Sequence, residues 1–370
     1  MARRAPSTPP VIPGYTYVRP LGSGGFADVF LYEQDMPRRV VAVKVLLSDA
    51  INPEVLRTFN AEADVMARLS AHPSIVSIFQ ASISADGRPY LAMEYCPDTM
   101  SARMKRGDLP VTDVLDAGVR IAAALETAHR SNLLHRDIKP SNILVTSMGT
   151  PVLADFGIAS AISSDEETGV LAMSVPWSSP EVLSESTAGT VASEVWSLGA
   201  TLYTLLAARS PFEHSDRSKN TSALIKARAT KAVYTPVGRL DVAPEIEAVL
   251  AKCMSKDPAK RFESMYALAE ELRRVQYHLG IPPSPLEVAA AEWAAAAPLT
   301  LTDSAARGPI ISTVKKDSRR AARAATPRSR TSAPEPTPAP SALRAGLVGA
   351  GIALAIVVAG FAIAVLTGVL

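Results

Sequence analysis

Cysteine is scarce in this 370-residue sequence, and neither sign of charge dominates. The two cysteines, Cys96 and Cys253, are too few for a disulfide framework, which favours a reducing environment. Lysine and arginine number 38 against 36 for aspartate and glutamate, so the overall charge gives no argument for nucleic-acid binding. No apolar stretch follows the two arginines near the N-terminus, so a signal peptide is not expected.

Hydrophobic residues make up 48% of the chain and charged residues 20%, which is typical of a globular protein with one large or two smaller domains. Residues 1–14 are rich in proline and are predicted to form a flexible lead. Strand-like runs separated by turn residues predominate over residues 15–96, and helical periodicity predominates over residues 97–279. The pattern predicts an α+β domain in which a small β-rich lobe precedes a larger helical lobe.

Helix signals occur in both parts of this domain. Asn52 is the expected N-cap of a helix in the β-rich part, and Pro53 its first residue. In the helical part, one apolar face is formed by Val114, Ala117, Ile121, Leu125 and Ala128. The stretch SEVWSLGATLYTLLAA is apolar on nearly every side, which predicts a buried helix.

The composition changes after the helical part. Residues 280–302 form a short extension with the pattern of one further helix, and residues 303–344 are a basic linker rich in Pro, Ala, Ser and Thr that is predicted to be disordered. Residues 345–370 carry no charged side chain and exceed the roughly 20 apolar residues that a spanning helix needs. A buried core helix is the alternative, but the preceding polar linker favours a transmembrane helix.

Glycines cluster between the first two strand-like runs, at Gly22, Gly24 and Gly25. A glycine-rich hairpin allows backbone N–H groups to approach a polyphosphate without obstruction by side chains. Such hairpins are also common without a ligand, so this stretch alone is weak evidence for phosphate binding.

Lys44 lies inside an apolar strand, where a lysine normally reaches solvent at the edge of the sheet. A buried lysine needs an anionic partner. The following helix contains Glu62, and a Lys44–Glu62 pair that also holds phosphate oxygens would explain both charges.

The segment HRDIKPSN, residues 135–142, concentrates polar groups directly after a helical stretch. Asp137 can orient a hydroxyl and accept its proton, and Lys139 can neutralise a phosphoryl group during its transfer. Asn142, together with Asp155 at the end of a later strand, offers hard oxygen ligands of the kind that suit Mg²⁺. Either aspartate could instead be an ordinary surface carboxylate.

Taken together, these motifs resemble the signature of protein kinases. Over residues 15–279 their order and spacing agree with that family: the glycine-rich loop, VAVK at 41–44, HRDIKPSN at 135–142, DFG at 155–157 and SPE at 179–181. The chain is most similar to bacterial serine/threonine kinases of the eukaryotic (Hanks) type, because Lys139 occupies a position typical of serine/threonine kinases. The resemblance implies a bilobal fold with a β-rich N-lobe, residues 15–96, and a helical C-lobe, residues 97–279.

The resemblance also implies residue roles. Asp137 would be the catalytic base and Lys139 would support the γ-phosphate, while Asn142 and Asp155 would bind Mg²⁺, with Mn²⁺ as an alternative metal. ATP binding is implied for Leu21, Gly22, Ser23, Gly24, Gly25, Val29, Ala42, Lys44, Glu62, Met93, Glu94 and Cys96. His135 would pack under Phe156, and Glu181 would form a buried ion pair with Arg261.

Three residues depart from the family pattern. Ala27 replaces the third glycine of the loop, and Ser174 replaces a threonine that usually contacts the base and the lysine. Glu194 replaces the aspartate that braces the catalytic loop, so the loop is expected to be looser. Two functions therefore stay open: an active serine/threonine kinase, or a kinase-fold scaffold that binds nucleotide or a partner without turnover.

Expectations about regulation concern the segments around this domain. Autophosphorylation is expected in the activation loop, at Ser163, Ser164 or Thr168. The basic residues of the linker predict a single-pass protein of the cell membrane with its kinase domain in the cytoplasm, tail-anchored by residues 345–370. Protein substrates bearing Ser or Thr, a phosphothreonine-binding partner domain and a homodimer are the other expected partners.

Overall fold

The computed structural model describes residues 4–25, 27–51, 66–156 and 174–289, together with Leu56, Phe59, Ala63 and Asp64. Its strands are β1 Tyr15–Ser23, β2 Ala27–Gln34, β3 Arg39–Leu46, β4 Ile78–Ile83, β5 Pro89–Glu94, β6 Asp98–Thr99, β7 Ile143–Val145 and β8 Pro151–Leu153. Its helices are α1 Met100–Arg106, α2 Val111–Arg130, α3 Pro180–Leu183, α4 Val191–Ala207, α5 Ser222–Lys231, α6 Pro244–Cys253 and α7 Met265–His278. The predicted order, a β-rich lobe followed by a helical lobe, is confirmed.

Five strands form one antiparallel sheet in the order β1-β2-β3-β5-β4. Paired residues share a face of the sheet, so Val29, Lys44 and Leu91 lie side by side across three strands. That face belongs to the main hydrophobic core, whereas Phe30, Tyr32 and their neighbours form a second core on the opposite face. The sheet therefore has two buried faces.

The N-terminal segment covers part of the second face, which differs from the flexible lead predicted by the sequence. Ile12 is only 2% exposed in that core. The hydroxyl of Tyr32 donates a hydrogen bond to the carbonyl of Pro10 at 2.6 Å. The partners that hold the segment lie far along the chain, so local composition carried no sign of them.

In the helical lobe, α2 and α4 are buried on most of their surface. The face predicted for α2, from Val114 to Ala128, lies in the core as expected. A Cβ atom at Gly199 of α4 would lie 2.4 Å from Cβ of Cys253 on α6, so only glycine allows these helices to approach so closely. α4 begins with a capping box in which Thr190 and Ser193 exchange hydrogen bonds.

The segment after α7 returns along the helical lobe. Residues 281–289 are not helical, and the rest of the extension in which a further helix was predicted, residues 290–302, lies outside the described residues. The side chain of Gln276 accepts a hydrogen bond from the backbone N–H of Ser284 at 2.9 Å and donates one to its hydroxyl at 2.8 Å. The carbonyl of Glu287 accepts a hydrogen bond from Nε2 of His72 at 2.6 Å. Buried polar pairing therefore holds this short extension against the domain.

Within the described part of the chain, no helix has both the length and the hydropathy that crossing a membrane requires. The predicted transmembrane helix, residues 345–370, and the predicted linker, residues 303–344, lie outside the described residues.

Candidate active site

The loop between α2 and β7 brings Asp137, Lys139 and Asn142 together. Nζ of Lys139 donates to Oδ2 of Asp137 at 2.6 Å, and Nδ2 of Asn142 donates to the same oxygen at 3.0 Å. Asn142 also donates to the backbone carbonyl of Asp137 at 2.8 Å, which fixes the turn of the loop. The side chain of Asp137 stays 34% exposed, so a hydroxyl group can reach its carboxylate.

Ser174 completes this group from a segment that follows much later in the sequence. Its hydroxyl donates to Oδ1 of Asp137 at 2.7 Å and accepts from Nζ of Lys139 at 3.1 Å. The serine therefore makes both contacts that the resemblance implied for the usual threonine. Each oxygen of the Asp137 carboxylate has a donor, so its orientation is defined.

Lys44 of β3 reaches Asp155, which follows β8. Their side chains form an ion pair of 2.8 Å between Nζ and Oδ1. The Lys44 ammonium holds the pKa of Asp155 below its ordinary value. Glu62, the partner predicted for Lys44, lies outside the described residues.

His135 is fully buried and packs against Phe156, with ring centroids 4.6 Å apart, which confirms the packing role that the resemblance implied. Its Nδ1 accepts from the backbone N–H of Asp137, so the proton lies on Nε2, which bonds the carbonyl of Ala154 at 3.0 Å. Burial lowers the pKa of His135. The neutral ring thus connects the catalytic loop to the residue before Asp155.

Glu194 of α4 braces the catalytic loop with both carboxylate oxygens. Oε1 accepts from the backbone N–H of Arg136 at 2.6 Å, and Oε2 lies 2.6 Å from Nε2 of His129. Both side chains are deeply buried, since only 6% of His129 and 3% of Glu194 is exposed. The longer acid therefore still reaches the loop. Sequence reasoning missed His129, because the residue that gives it a role lies on a different helix.

The residues predicted to bind adenine surround the junction of the lobes. Ala42 lies directly opposite Met93 in the sheet, and both are buried in the main core. Leu21, Val29 and Cys96 are half-buried and pack against the same core. The backbone N–H of Glu94 donates to the carbonyl of Ser77 at 2.8 Å. Leu144, two residues after Asn142, is also half-buried against this core, and its position next to the motif was an available signal that sequence reasoning did not use.

The glycine-rich loop connects β1 and β2. The N–H of Gly24 donates to the carbonyl of Ala27 at 2.9 Å, and a Cβ atom at Gly24 would lie only 3.2 Å from that oxygen. Gly22 pairs with Val29, and Cβ atoms at Gly22 and Gly25 would meet no atom of the described residues within 4 Å. Ala27 lies in β2 and is absent from the residues with positive φ, so it adopts a backbone that alanine accepts readily.

The donor set fits a magnesium ion bound together with phosphates. Asp155 and Asn142 supply a carboxylate and an amide oxygen, and Mg²⁺ usually combines few protein ligands with phosphate oxygens and water. Among the described residues, no cluster of three or more His, Cys, Asp or Glu side chains could hold a metal by itself. The chemistry of the two predicted ligands, a carboxylate and an amide oxygen, is suited to Mg²⁺ that binds together with a nucleotide.

The predicted ion pair between Glu181 and Arg261 is confirmed. Two hydrogen bonds of 2.6 and 2.9 Å join the guanidinium to the carboxylate, and the Arg261 side chain is fully buried. Arg261 also donates to the backbone carbonyls of Ser255 and Ala192. The pair ties α3 to the segment before α7, and so it supports the site without contacting it.

A β-rich lobe, a helical lobe and, within the helical lobe, the loop that carries Asp137, Lys139 and Asn142 define a protein kinase domain. The family model for the protein kinase domain matches residues 15–273, and the chain belongs to this family. Its relatives include serine/threonine-protein kinases of bacteria. It is 37% identical to the serine/threonine-protein kinase PknK of Mycobacterium bovis over 282 residues, 74% of this chain and 25% of the relative.

Two further relatives agree with this assignment. The serine/threonine-protein kinase PrkC of Bacillus subtilis is 33% identical over 265 residues, which cover 70% of this chain and 40% of PrkC. The crystal structure of a mutant form of the PknI kinase domain of Mycobacterium tuberculosis has a TM-score of 0.55 and 29% identity, and the match covers 74% of this chain and 99% of that domain. The chain thus spans between a quarter and two fifths of the length of PknK and PrkC.

Proposed function

We propose that this protein transfers the γ-phosphoryl group of ATP to serine and threonine hydroxyls of proteins. One observation carries the proposal. The Asp137 carboxylate is oriented by Lys139, Asn142 and Ser174 and remains accessible to a hydroxyl. A side chain held in this way can align an acceptor and take its proton.

The residues divide the work of phosphoryl transfer. Asp137 receives the hydroxyl proton at its carboxylate, and Lys139, within 2.6 Å of it, offsets negative charge that develops on the phosphoryl group. Lys44 holds phosphate oxygens and orients Asp155, which with Asn142 would bind Mg²⁺. When bound, the magnesium ion neutralises charge on the β- and γ-phosphates.

The decisive experiment compares matched aspartate variants of the full chain. Purified protein is incubated with Mg²⁺ and ATP, and phosphate incorporation is followed by intact mass and peptide mapping. Asp137→Asn should abolish incorporation, whereas Asp108→Asn, at an exposed residue of the same lobe, should leave it unchanged. A wild-type chain that binds ATP but phosphorylates neither itself nor generic protein acceptors would contradict the proposal.

Autophosphorylation is part of the proposal, with Thr168 as the favoured site and Ser163 and Ser164 as alternatives. All three lie outside the described residues, and their support is a run of hydroxyl groups in a polar segment. Further support comes from the family resemblance, in which an arginine directly before the catalytic aspartate, here Arg136, often contacts a phosphate on that segment. Full activity of the triple alanine variant would contradict this part of the proposal.

Membrane attachment is a separate proposal. Its support is the uncharged apolar stretch 345–370 and the basic linker before it, which would keep the kinase domain in the cytoplasm. Deleting residues 345–370 should move the protein from the membrane fraction to the supernatant of lysed cells.

Two partners belong to the same proposal. The linker threonines, which would lie on the cytoplasmic side, would bind a partner domain once phosphorylated. A pair of membrane spans could form a homodimer.

The scaffold alternative depended on Ala27 and Glu194. Ala27 lies in a regular strand, and Glu194 keeps its hydrogen bond to the catalytic loop. Among the described residues, neither departure therefore supports the scaffold, and the enzyme is the function that we propose.

A further inference from the structure

Arg4 contacts both strands that flank the glycine-rich loop. Its guanidinium forms an ion pair of 2.5 Å with Oδ1 of Asp28, the second residue of β2. Its backbone carbonyl accepts a hydrogen bond of 3.0 Å from the hydroxyl of Ser23, the last residue of β1. One residue of the N-terminal segment therefore bridges the two ends of the loop.

Loss of the ion pair between Arg4 and Asp28 would reduce stability, because the side chain of Asp28 is completely buried. A buried carboxylate requires charge-assisted hydrogen bonds to offset its lost hydration. Besides Arg4, it accepts a hydrogen bond of 2.7 Å from the backbone N–H of Ser7. Both donors come from the N-terminal segment, so Asp28 and this segment stabilise each other.

A second arginine anchors the same segment to the sheet. Arg88, whose side chain is 7% exposed, donates to the hydroxyl of Ser7 at 3.0 Å and to the carbonyl of Thr8 at 2.7 Å. Asp86 pairs with the same guanidinium at 2.6 Å. The segment is therefore held at two points, and the first of them lies directly at the glycine-rich loop.

The contacts of Arg4 lie at the base of the glycine-rich loop, and this position determines which part of the nucleotide site they affect. Ser23 and Asp28 are paired residues of β1 and β2, and the turn between them carries Gly24 and Gly25. A turn with two adjacent glycines has high conformational freedom, so fixing its base limits the positions that its N–H groups can take.

We propose that Arg4 is a positioning residue for the nucleotide phosphates. It acts through the glycine-rich loop, because it holds Ser23 and Asp28 at the base of that loop. We call Arg4, Ser7, Ser23 and Asp28 the N-terminal clamp. The proposal rests on the proposed function, since the loop is taken to bind the phosphates of ATP. The hydrogen bonds described for the clamp join it to the base of the loop and not to Met93 or Glu94, so its effect is expected at the phosphate end of the nucleotide.

The size of the expected change in Kd depends on the fraction of time that the glycine-rich loop spends in its binding conformation. If loss of the clamp leaves the loop in its binding conformation about one fifth of the time, the apparent Kd for a triphosphate rises about fivefold. Adenosine has no phosphates, and its Kd should be unchanged. This difference between two ligands distinguishes positioning of the loop from general loosening of the lobe.

The test uses the full chain and isothermal titration calorimetry with Mg²⁺ and a non-hydrolysable ATP analogue, and then with adenosine. Arg4→Gln should weaken binding of the analogue about fivefold and leave adenosine binding unchanged. Arg38→Gln is the matched control, because Arg38 forms an exposed ion pair with Glu33 on the same sheet. The control should bind both ligands as the wild type does.

Asp28→Asn provides the second variant, with folding checked by its thermal transition. In that background Arg4→Gln should have no further effect on the analogue, because the ion pair is already lost. Equal weakening of both ligands, or unchanged binding of the analogue in Arg4→Gln, would overturn the clamp while leaving the kinase intact. Failure of the wild-type chain to bind either ligand would overturn the proposed function, and the clamp with it.

Discussion

Glu194 accepts a hydrogen bond of 2.6 Å from the backbone N–H of Arg136, a residue held at a φ of +65°. A left-handed backbone is uncommon for a residue with a long side chain and needs support from its surroundings. That support comes from a carboxylate one methylene longer than the family's usual aspartate. The conformation of the catalytic loop therefore depends on a side chain from another helix.

Glu194→Gln is expected to lower kcat about tenfold, which corresponds to about 1.4 kcal/mol in the activation free energy. Glutamine can accept from Arg136, but its neutral amide lacks the charge that strengthens the hydrogen bonds of the carboxylate to Arg136 and His129. The measurement is steady-state kinetics of phosphate transfer. Glu263→Gln, at an exposed position, is the control, and an unchanged kcat in Glu194→Gln would show that the loop needs no brace.

Ser174→Ala should lower kcat about tenfold with little change in the KM for ATP. The substitution removes the hydroxyl that donates to Asp137 and accepts from Lys139, so the two side chains lose their relative orientation. Ser174→Thr keeps the hydroxyl and should retain most of the activity. Equal activity of the alanine and threonine variants would argue against this role.

Arg261→Met should reduce the free energy of unfolding by about 3–5 kcal/mol, because it leaves the Glu181 carboxylate without its partner. Urea denaturation of the full chain measures the loss. Arg120→Met removes a half-exposed ion pair with Asp116 and should cost at most about 1 kcal/mol. Similar losses in both variants would mean that burial of the Arg261 pair does not set its importance.

The ion pair between Glu181 and Arg261 also predicts that the stability of the fold depends on pH. Burial alone would raise the pKa of Glu181, but the hydrogen bonds and charge of Arg261 lower it overall. A carboxylate with a lowered pKa stabilises the fold above its unfolded pKa of about 4.5, and this contribution is lost as the pH falls through the folded value. The decline of stability below pH about 4.5 should therefore be less steep in Glu181→Gln than in the wild type.

The environment of His72 predicts a second pH dependence of the unfolding free energy, at a higher pH than that of Glu181. Burial lowers the pKa of His72, and its Nδ1 accepts from the backbone N–H of Ser74 while Nε2 donates to Glu287. The neutral ring therefore stabilises the fold above pH about 6.5, and this contribution is lost as the pH falls. His72→Gln should flatten the pH dependence of the unfolding free energy below pH about 6.5.

Tertiary contacts explain where sequence-based expectations and structure differ. Strand β4, Ile78–Ile83, was not predicted, because its sequence IFQASI has no regular alternation and its side chains are mostly exposed. The segment around Ile12 was predicted to be flexible, although Tyr32 and Arg88 hold it in place. β4 pairs with the next strand, β5, whereas the partners of the Ile12 segment lie elsewhere in the chain, where local pattern cannot reveal them.

The sequence by itself determined the kinase motifs, the order of the two lobes and the buried faces of α2 and α4, because each depends on residue type and spacing within a short window. Only the tertiary structure decided that Glu194 joins His129 to Arg136 and that Arg4 pairs with the buried Asp28. These contacts join residues that are distant in sequence. They form only when packing of the core removes the polar groups of both residues from water, so that each group becomes the available partner of the other.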